Sequence, residues 1–299
     1  MSALISLHNA RTSSLASSLE LLDDEALLVW TIHERSCVDS PLSPFWALFS
    51  TDPLSTGLTM PVDALEAAGG VVLSESFRLR DEATRQFTAV KAKLQSTPLK
   101  SIFTWDAYCG ALELWQAYGV SLLLPGADCL STALLPLGLL MNHSLTPHVT
   151  RFSTFDEDGV LRLRTCRDIA AGEEVFLSYG RLPNADLLTF YGFALPDNPY
   201  DVLPVSIEVE EDTEAALKRA GLSADFTFCR GSSLPVGALE AMRVILDTES
   251  DREALDALQA ILEGLPEGLG DASKWPFCSL FVDGQRAIIN NALMLCASE

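Results

Sequence analysis

Three short stretches hold the residue types that could do chemistry. Asn142-His143-Ser144 is followed about 30 residues later by Gly172-Glu-Glu-Val-Phe-Leu-Ser-Tyr179-Gly180, and directly afterwards by Leu187-Leu-Thr-Phe-Tyr191-Gly192-Phe193. Together they offer a carboxamide, an imidazole and two phenols, each able to orient a polar reactant by hydrogen bonding. Taken singly, none is diagnostic. A Tyr-Gly after an apolar strand usually marks the strand end, and a histidine near an apolar run is mostly a satisfied core residue. His143 and Ser144 do not make a hydrolase, because no Gly-x-Ser-x-Gly elbow or oxyanion loop accompanies them. His143 and His148 are the one close pair among the four histidines, with no acidic or cysteine ligand set nearby, so no metal site is expected.

The surrounding elements must place these groups. Asp23 or Asp24 is suited to cap a helix over 26–35. Prolines at 41, 44, 53 and 61 mark an irregular stretch before helical patterning returns over 82–94. Thr104 caps a predicted helix over 105–118, closed by Gly119 as its left-handed terminator. The stretch 152–165 reads as a hairpin around Asp158-Gly159, with leucines and arginines alternating after the turn. Ala170-Ala171-Gly172 is a further turn feeding a strand over 174–178, and Asn184 can cap a short helix through Tyr191, ended by Gly192. After the β-branched run 202–209 the chain is helical again. Ser250-Asp-Arg-Glu253 is a capping box, Leu255, Leu258, Ile261 and Leu262 form an apolar core stripe, and Asp283 opens a last helix over 285–295. The sum is an α+β chain with a small sheet region between two helical regions.

Composition excludes several classes. With 299 residues, 48% of them hydrophobic, and a mean hydropathy of +0.22, the chain can bury a real core. A formal charge of -21 and the absence of any Lys/Arg cluster argue against nucleic acid as a partner, since phosphate binding rests on basic side chains. Seven scattered cysteines, odd in number and never in CxxC spacing, imply free thiols and a reducing compartment: cytosol, nucleus or plastid. The apolar run 122–141 is long enough to span a bilayer. Pro125, Gly126, Asp128, Pro136 and Gly138 would break a helix there, so a buried segment with turns is expected and no membrane span.

In order and spacing, the three motifs resemble the C-terminal half of a SET domain, the fold that methylates protein lysines with S-adenosylmethionine, and specifically the Rubisco large-subunit lysine methyltransferase-like branch. The resemblance implies an α+β fold in which small sheets thread into a pseudoknot, with a helical insert and a C-terminal helical domain. It implies four segments: 1–20 N-terminal, 21–120 helical insert, 121–205 the half with the catalytic motifs, and 206–299 a helical substrate-binding-like domain. By the same resemblance Asn142 and His143 contact the cofactor, Tyr179 is catalytic, Tyr191 lines the lysine channel, and Phe193 packs on the adenine. The partner implied is a protein presenting a lysine.

Methyl transfer from a sulfonium to an amine is an in-line displacement, so proximity and exclusion of water can supply most of the acceleration without metal or covalent step. A tyrosine hydroxyl can orient the amine without ionising from its reference pKa of ~10. The chain departs from the family pattern in three places. Only about 20 residues precede the insert, without the Gly-x-Gly turn that helps seat the cofactor, so the N-terminal SET segment is expected to be lacking and a partner or further segment to complete the sheet. The helix ending near Tyr118 normally offers the cofactor an arginine, but here it reads Leu114-Trp115-Gln116-Ala117-Tyr118 without one, and Leu139 stands where an acid is common. These departures make a non-catalytic binding module, or pseudoenzyme, the alternative function. The aromatic expected within 150–155 is Phe152 or Phe155 rather than tyrosine.

Overall fold

A computed structural model of the chain describes residues 5–6, 10, 19–49, 52–123, 128, 130–136, 138–149 and 160–298. It divides into two compact units that are not continuous in sequence: Met1–Thr59 with Arg78–Gly180, and Met60–Phe77 with Arg181–Glu299.

The first unit is built on two helices, α1 (Asp23–Ser36) and α5 (Trp105–Tyr118), beside most of α4 (Gly70–Lys93). A short α2 (Ser43–Trp46) interrupts the stretch expected to be irregular, and α3 (Val62–Ala68) belongs to the second unit. Helix α1 starts earlier than predicted. Asp23 and Asp24 are not caps but lie in its first turn, where carboxylates oppose the positive end of the helix dipole. Glu25 reaches back to the Leu22 N–H at 2.8 Å and pairs with Lys93 at 2.6 Å. Trp30, Trp115 and Tyr108 pack into the shared core, and the Trp115 indole N–H donates to Thr31 Oγ1 at 2.9 Å. Glu113, buried on α5, fixes the stretch 54–59. It accepts from the Leu54 and Thr56 N–H groups and from the hydroxyls of Thr56 and Thr59.

Thr104 caps α5 as expected, its hydroxyl accepting from the Ala107 N–H at 3.2 Å. Gly119 does not terminate it in the left-handed region; its φ is −70°. The glycine is required by crowding instead, because a Cβ there would lie 2.3 Å from the Trp115 carbonyl oxygen and 2.7 Å from Thr132 Cγ2 on the neighbouring strand. A three-stranded antiparallel sheet follows, in the order β1 (Ile5–Ser6), β3 (Leu130–Leu134), β2 (Val120–Leu123). The apolar run 122–141 therefore breaks into strands and a 3-10 turn at Gly138–Leu140, and no helix among the described residues is long and apolar enough to cross a membrane. Of the predicted hairpin, residues 152–159, including Phe152 and Phe155, lie outside the described residues.

The second unit pairs β4 (Val202–Ser206) with β5 (Asp225–Cys229), antiparallel, and packs them with α7 (Glu211–Ala220), α8 (Ala238–Leu246), α9 (Asp251–Gly264) and α10 (Pro276–Ser298). Leu255, Leu258 and Leu262 are buried in this core with Ile261 partly covered, as the stripe predicts. The capping box on α9 is rearranged. Ser250 Oγ accepts from the Glu253 N–H, but the Glu253 carboxylate takes the Thr248 hydroxyl, which itself accepts the Ser250 N–H. Asp283 lies inside α10 rather than opening it, because the helix begins at Pro276.

Candidate functional site

The stretch 174–180 is not the regular strand that its apolar pattern predicts. It is threaded between two pieces of the segment 141–149, with Leu177 bridging His143 on one flank and Val149 on the other, both parallel. On the first flank the Leu177 N–H donates to the Asn142 carbonyl at 2.9 Å, and the Leu177 carbonyl accepts the Ser144 N–H at 3.2 Å. On the second, the Phe176 carbonyl accepts from His148 and Val149, and the Ser178 N–H donates to the Val149 carbonyl at 2.9 Å. Two further N–H groups find imidazoles. Phe176 N–H donates to His148 Nδ1 and Tyr179 N–H to His143 Nδ1, both at 3.1 Å. A buried N–H left unmet is costly, and the two imidazoles stand in for the missing ladder partners.

Three of the five predicted site residues meet here. Tyr179 directs its hydroxyl to the Met141 carbonyl at 3.1 Å, and its ring lies 5.1 Å from that of His143, tilted 31°. His143 is 9% exposed, and burial pulls its pKa below the ordinary histidine value, against a hydrogen bond to the Leu177 backbone. With Nδ1 accepting, the ring is neutral and its proton is on Nε2. Asn142 is exposed, and its side-chain N–H donates to Glu174 Oε1 at 2.7 Å.

The turn that feeds this stretch is held by charge. Glu173 accepts from the Ala170 N–H at 2.9 Å, from His148 Nε2 at 2.8 Å and from Arg167 at 3.1 Å. The Ala170 amide first, then His148 and Arg167, hold its carboxyl down to about 2. Gly172, with φ at +83°, makes the turn possible.

Tyr191 and Phe193 belong to the second unit. The predicted helix is α6 (Asn184–Asp186), with Asn184 as its first residue and Pro183 rather than Asn184 at the cap position, followed by a π-helical turn, Leu187–Tyr191, which Gly192 ends at φ +76°. The Tyr191 and Phe193 rings meet edge-on at 6.2 Å, and burial, then the Asp186 charge, raises the Tyr191 pKa. A buried polar group braces this segment. The Asn184 amide bonds the Leu195 backbone through both its oxygen and its nitrogen, and Asp201 accepts from the Asn184 backbone and side chain. Asn198 joins it to the Leu182 carbonyl. Burial raises the Asp201 pKa against these bonds.

Residues 46–180 match the SET domain family. This segment is a SET domain. The solved SET domain of LSMT bound to lysine and AdoHcy superposes on 99% of this chain and 80% of its own, with a TM-score of 0.78 and 16% identity. Rubisco LSMT bound to AdoMet gives 0.73 at the same identity. These likenesses show that the α+β fold is the SET fold. Among relatives, a ribosomal lysine N-methyltransferase of Schizosaccharomyces pombe is 32% identical over 37% of this chain, and SET domain-containing protein 4 of Mus musculus is 32% identical over 42%. An actin-histidine N-methyltransferase of Danio rerio is 26% identical over 52%. The matches span 20%, 30% and 27% of those proteins' own lengths.

Sequence reasoning missed His148, Glu173, Arg167, Asn184 and Asp201 as site-forming residues of the SET domain and the segment after it. The described residues contain no group of three or more metal-type ligands.

Proposed function

We propose that the chain is an S-adenosylmethionine-dependent protein-lysine N-methyltransferase, with Tyr179 as the catalytic residue. The observation that carries this reading is the threaded stretch that fixes a tyrosine hydroxyl beside a neutral, buried His143. Such a phenol, held by its backbone N–H and by Met141, can orient an incoming neutral amine without changing its own ionisation. The same holding of Tyr179, His143 and Asn142 together supports an enzyme over a non-catalytic module.

When bound, the cofactor supplies an electrophilic methyl group on a sulfonium. The donor set here fits it in part. Asn142 offers an exposed amide, and the buried amide oxygen of Gln116, in the last turn of α5, has no hydrogen-bond partner among the described residues. Both are neutral acceptors suited to an ammonium group, so Asn142, His143 and Gln116 would hold the cofactor's amino-acid end in place of a cation-based grip. Phe193 would pack on the adenine and Tyr191 would line the lysine channel, its raised pKa keeping it a neutral phenol. The segments 1–20, 21–120, 121–205 and 206–299 would act as N-terminal segment, helical insert, catalytic half and substrate-binding part. The partner is a protein, not nucleic acid. Transfer of labelled methyl groups from S-adenosylmethionine to lysine in a protein mixture, lost in Tyr179→Phe, tests the reading. Labelling on histidine alone would overturn the choice of lysine.

A further inference from the structure

His148 is fully buried, and two donors converge on its Nδ1: the Phe176 N–H at 3.1 Å and the Arg167 guanidinium at 3.4 Å. A nitrogen facing two donors presents its lone pair, so the ring proton sits on Nε2, which donates to Glu173 Oε1 at 2.8 Å. Arg167 and the Ala170 N–H fix Glu173 in turn. The ring also stacks on Phe176, 6.2 Å away and 11° from parallel, and the His148 carbonyl accepts the Cys166 N–H at 2.8 Å. Every polar atom of His148 is thus committed, and the side chain links a charged cluster to one backbone amide three residues before Tyr179.

We infer that His148 is a positioning residue for Tyr179, an inference that rests on the proposed catalytic role of that tyrosine. The stretch 174–180 is gripped from both flanks by the same device, an imidazole Nδ1 taking an N–H. His143 grips at 179 and His148 at 176. The segment between them turns at Ser144–Thr146, where the Thr146 N–H bonds back to Ser144 Oγ at 3.1 Å, and passes through Pro147. Its backbone there cannot continue a ladder, so a side-chain acceptor is needed to fix the stretch along its own axis. That axial position sets where the Tyr179 phenol lies. The acceptor matters more than the aromatic ring, and this separates positioning from mere core packing.

Three variants test it. In His148→Asn the amide oxygen is attached to Cγ, as Nδ1 is, and can still take the Phe176 N–H, although the side chain no longer reaches Glu173. In His148→Gln the amide sits one bond farther out, toward the place of Nε2, and the strand bond is lost while the Glu173 bond is kept. His148→Ala loses both. The expected result is a fall in kcat on the order of 10- to 100-fold for Ala and Gln, with KM within about twofold, and recovery of most of kcat in Asn. Amide hydrogen exchange at Phe176 and Tyr179 accelerates in Ala and Gln and stays near wild type in Asn. Exchange is read without any substrate, so it decides the inference even for a chain that shows no methyl transfer. Where Ala fails to fold, the Asn and Gln pair still decides. Equal behaviour of Asn and Gln, or wild-type exchange in Ala, overturns it.

Discussion

The backbone N–H of Tyr179 donates to His143 Nδ1 at 3.1 Å, and the two rings lie 5.1 Å apart. The residue proposed to face the cofactor therefore also sets the height of the residue proposed to act on the amine. Substitution at either position disturbs both roles, and the two effects must be separated by choosing replacements that remove one bond at a time.

Tyr179→Phe keeps the ring and the backbone bond and removes only the hydroxyl that donates to Met141. The expected outcome is a loss of about 10²-fold or more in kcat, with cofactor affinity changed by less than about threefold. Single-turnover methyl transfer together with calorimetry separates the two quantities.

His143 makes stability pH-dependent. Its pKa in the folded chain is lowered by burial, so below the ordinary value the unfolded chain takes up the proton first. The stabilising contribution is complete above pH of about 6.5 and is lost as pH falls from there toward the lowered folded value. Urea unfolding followed from pH 7.5 to 5 should show this fall in wild type and a flatter profile in His143→Gln, whose amide cannot titrate.

Glu113 is the buried acceptor that holds the stretch 54–59. Glu113→Ala strands the amide and hydroxyl of Thr56, a fully buried residue, at about 1–3 kcal/mol each, so a loss of about 2–6 kcal/mol is expected. Glu113→Gln, which keeps one acceptor oxygen, should lose less than Ala. Denaturant midpoints of the two variants check the order.

Gly284 sits in the middle of α10, where alanine would ordinarily favour the helix by about 1 kcal/mol. A Cβ there would lie 2.5 Å from Asp201 Oδ2, in the group that braces Asn184 and the segment leading to Tyr191. Gly284→Ala should destabilise by about 1–3 kcal/mol in thermal unfolding in spite of the helix gain.

The helices were legible wherever local signals decide them. Thr104 as a cap, the stripe through Leu255 and Leu262, and the position of the Tyr191-Gly192 turn are all set by near neighbours in sequence. The errors have the opposite cause. Gly119 is required by crowding against the Trp115 carbonyl and against Thr132 on another strand, not by a left-handed φ, and the Thr132 part leaves no local hint. The stretch 174–178 looks like a strand because Val175-Phe176-Leu177 is a short apolar run after a turn, yet its partners are two flanks of one turn and two imidazoles. Asn184, Asp201 and Gly284 meet only after folding, so their shared role has no local trace. The motif residues Asn142, His143 and Tyr179 were legible as a set through their order and spacing, while the contacts among them needed the fold.

The most direct measurement is calorimetric titration of S-adenosylmethionine into the purified 299-residue chain and its His143→Ala variant, with folding of both checked by circular dichroism. The proposed function predicts saturable one-site binding to the wild-type chain, weakened by about tenfold or more in the variant, a loss of about 1.4 kcal/mol. Folded wild-type chain that binds none, or a variant that binds equally well, would contradict it.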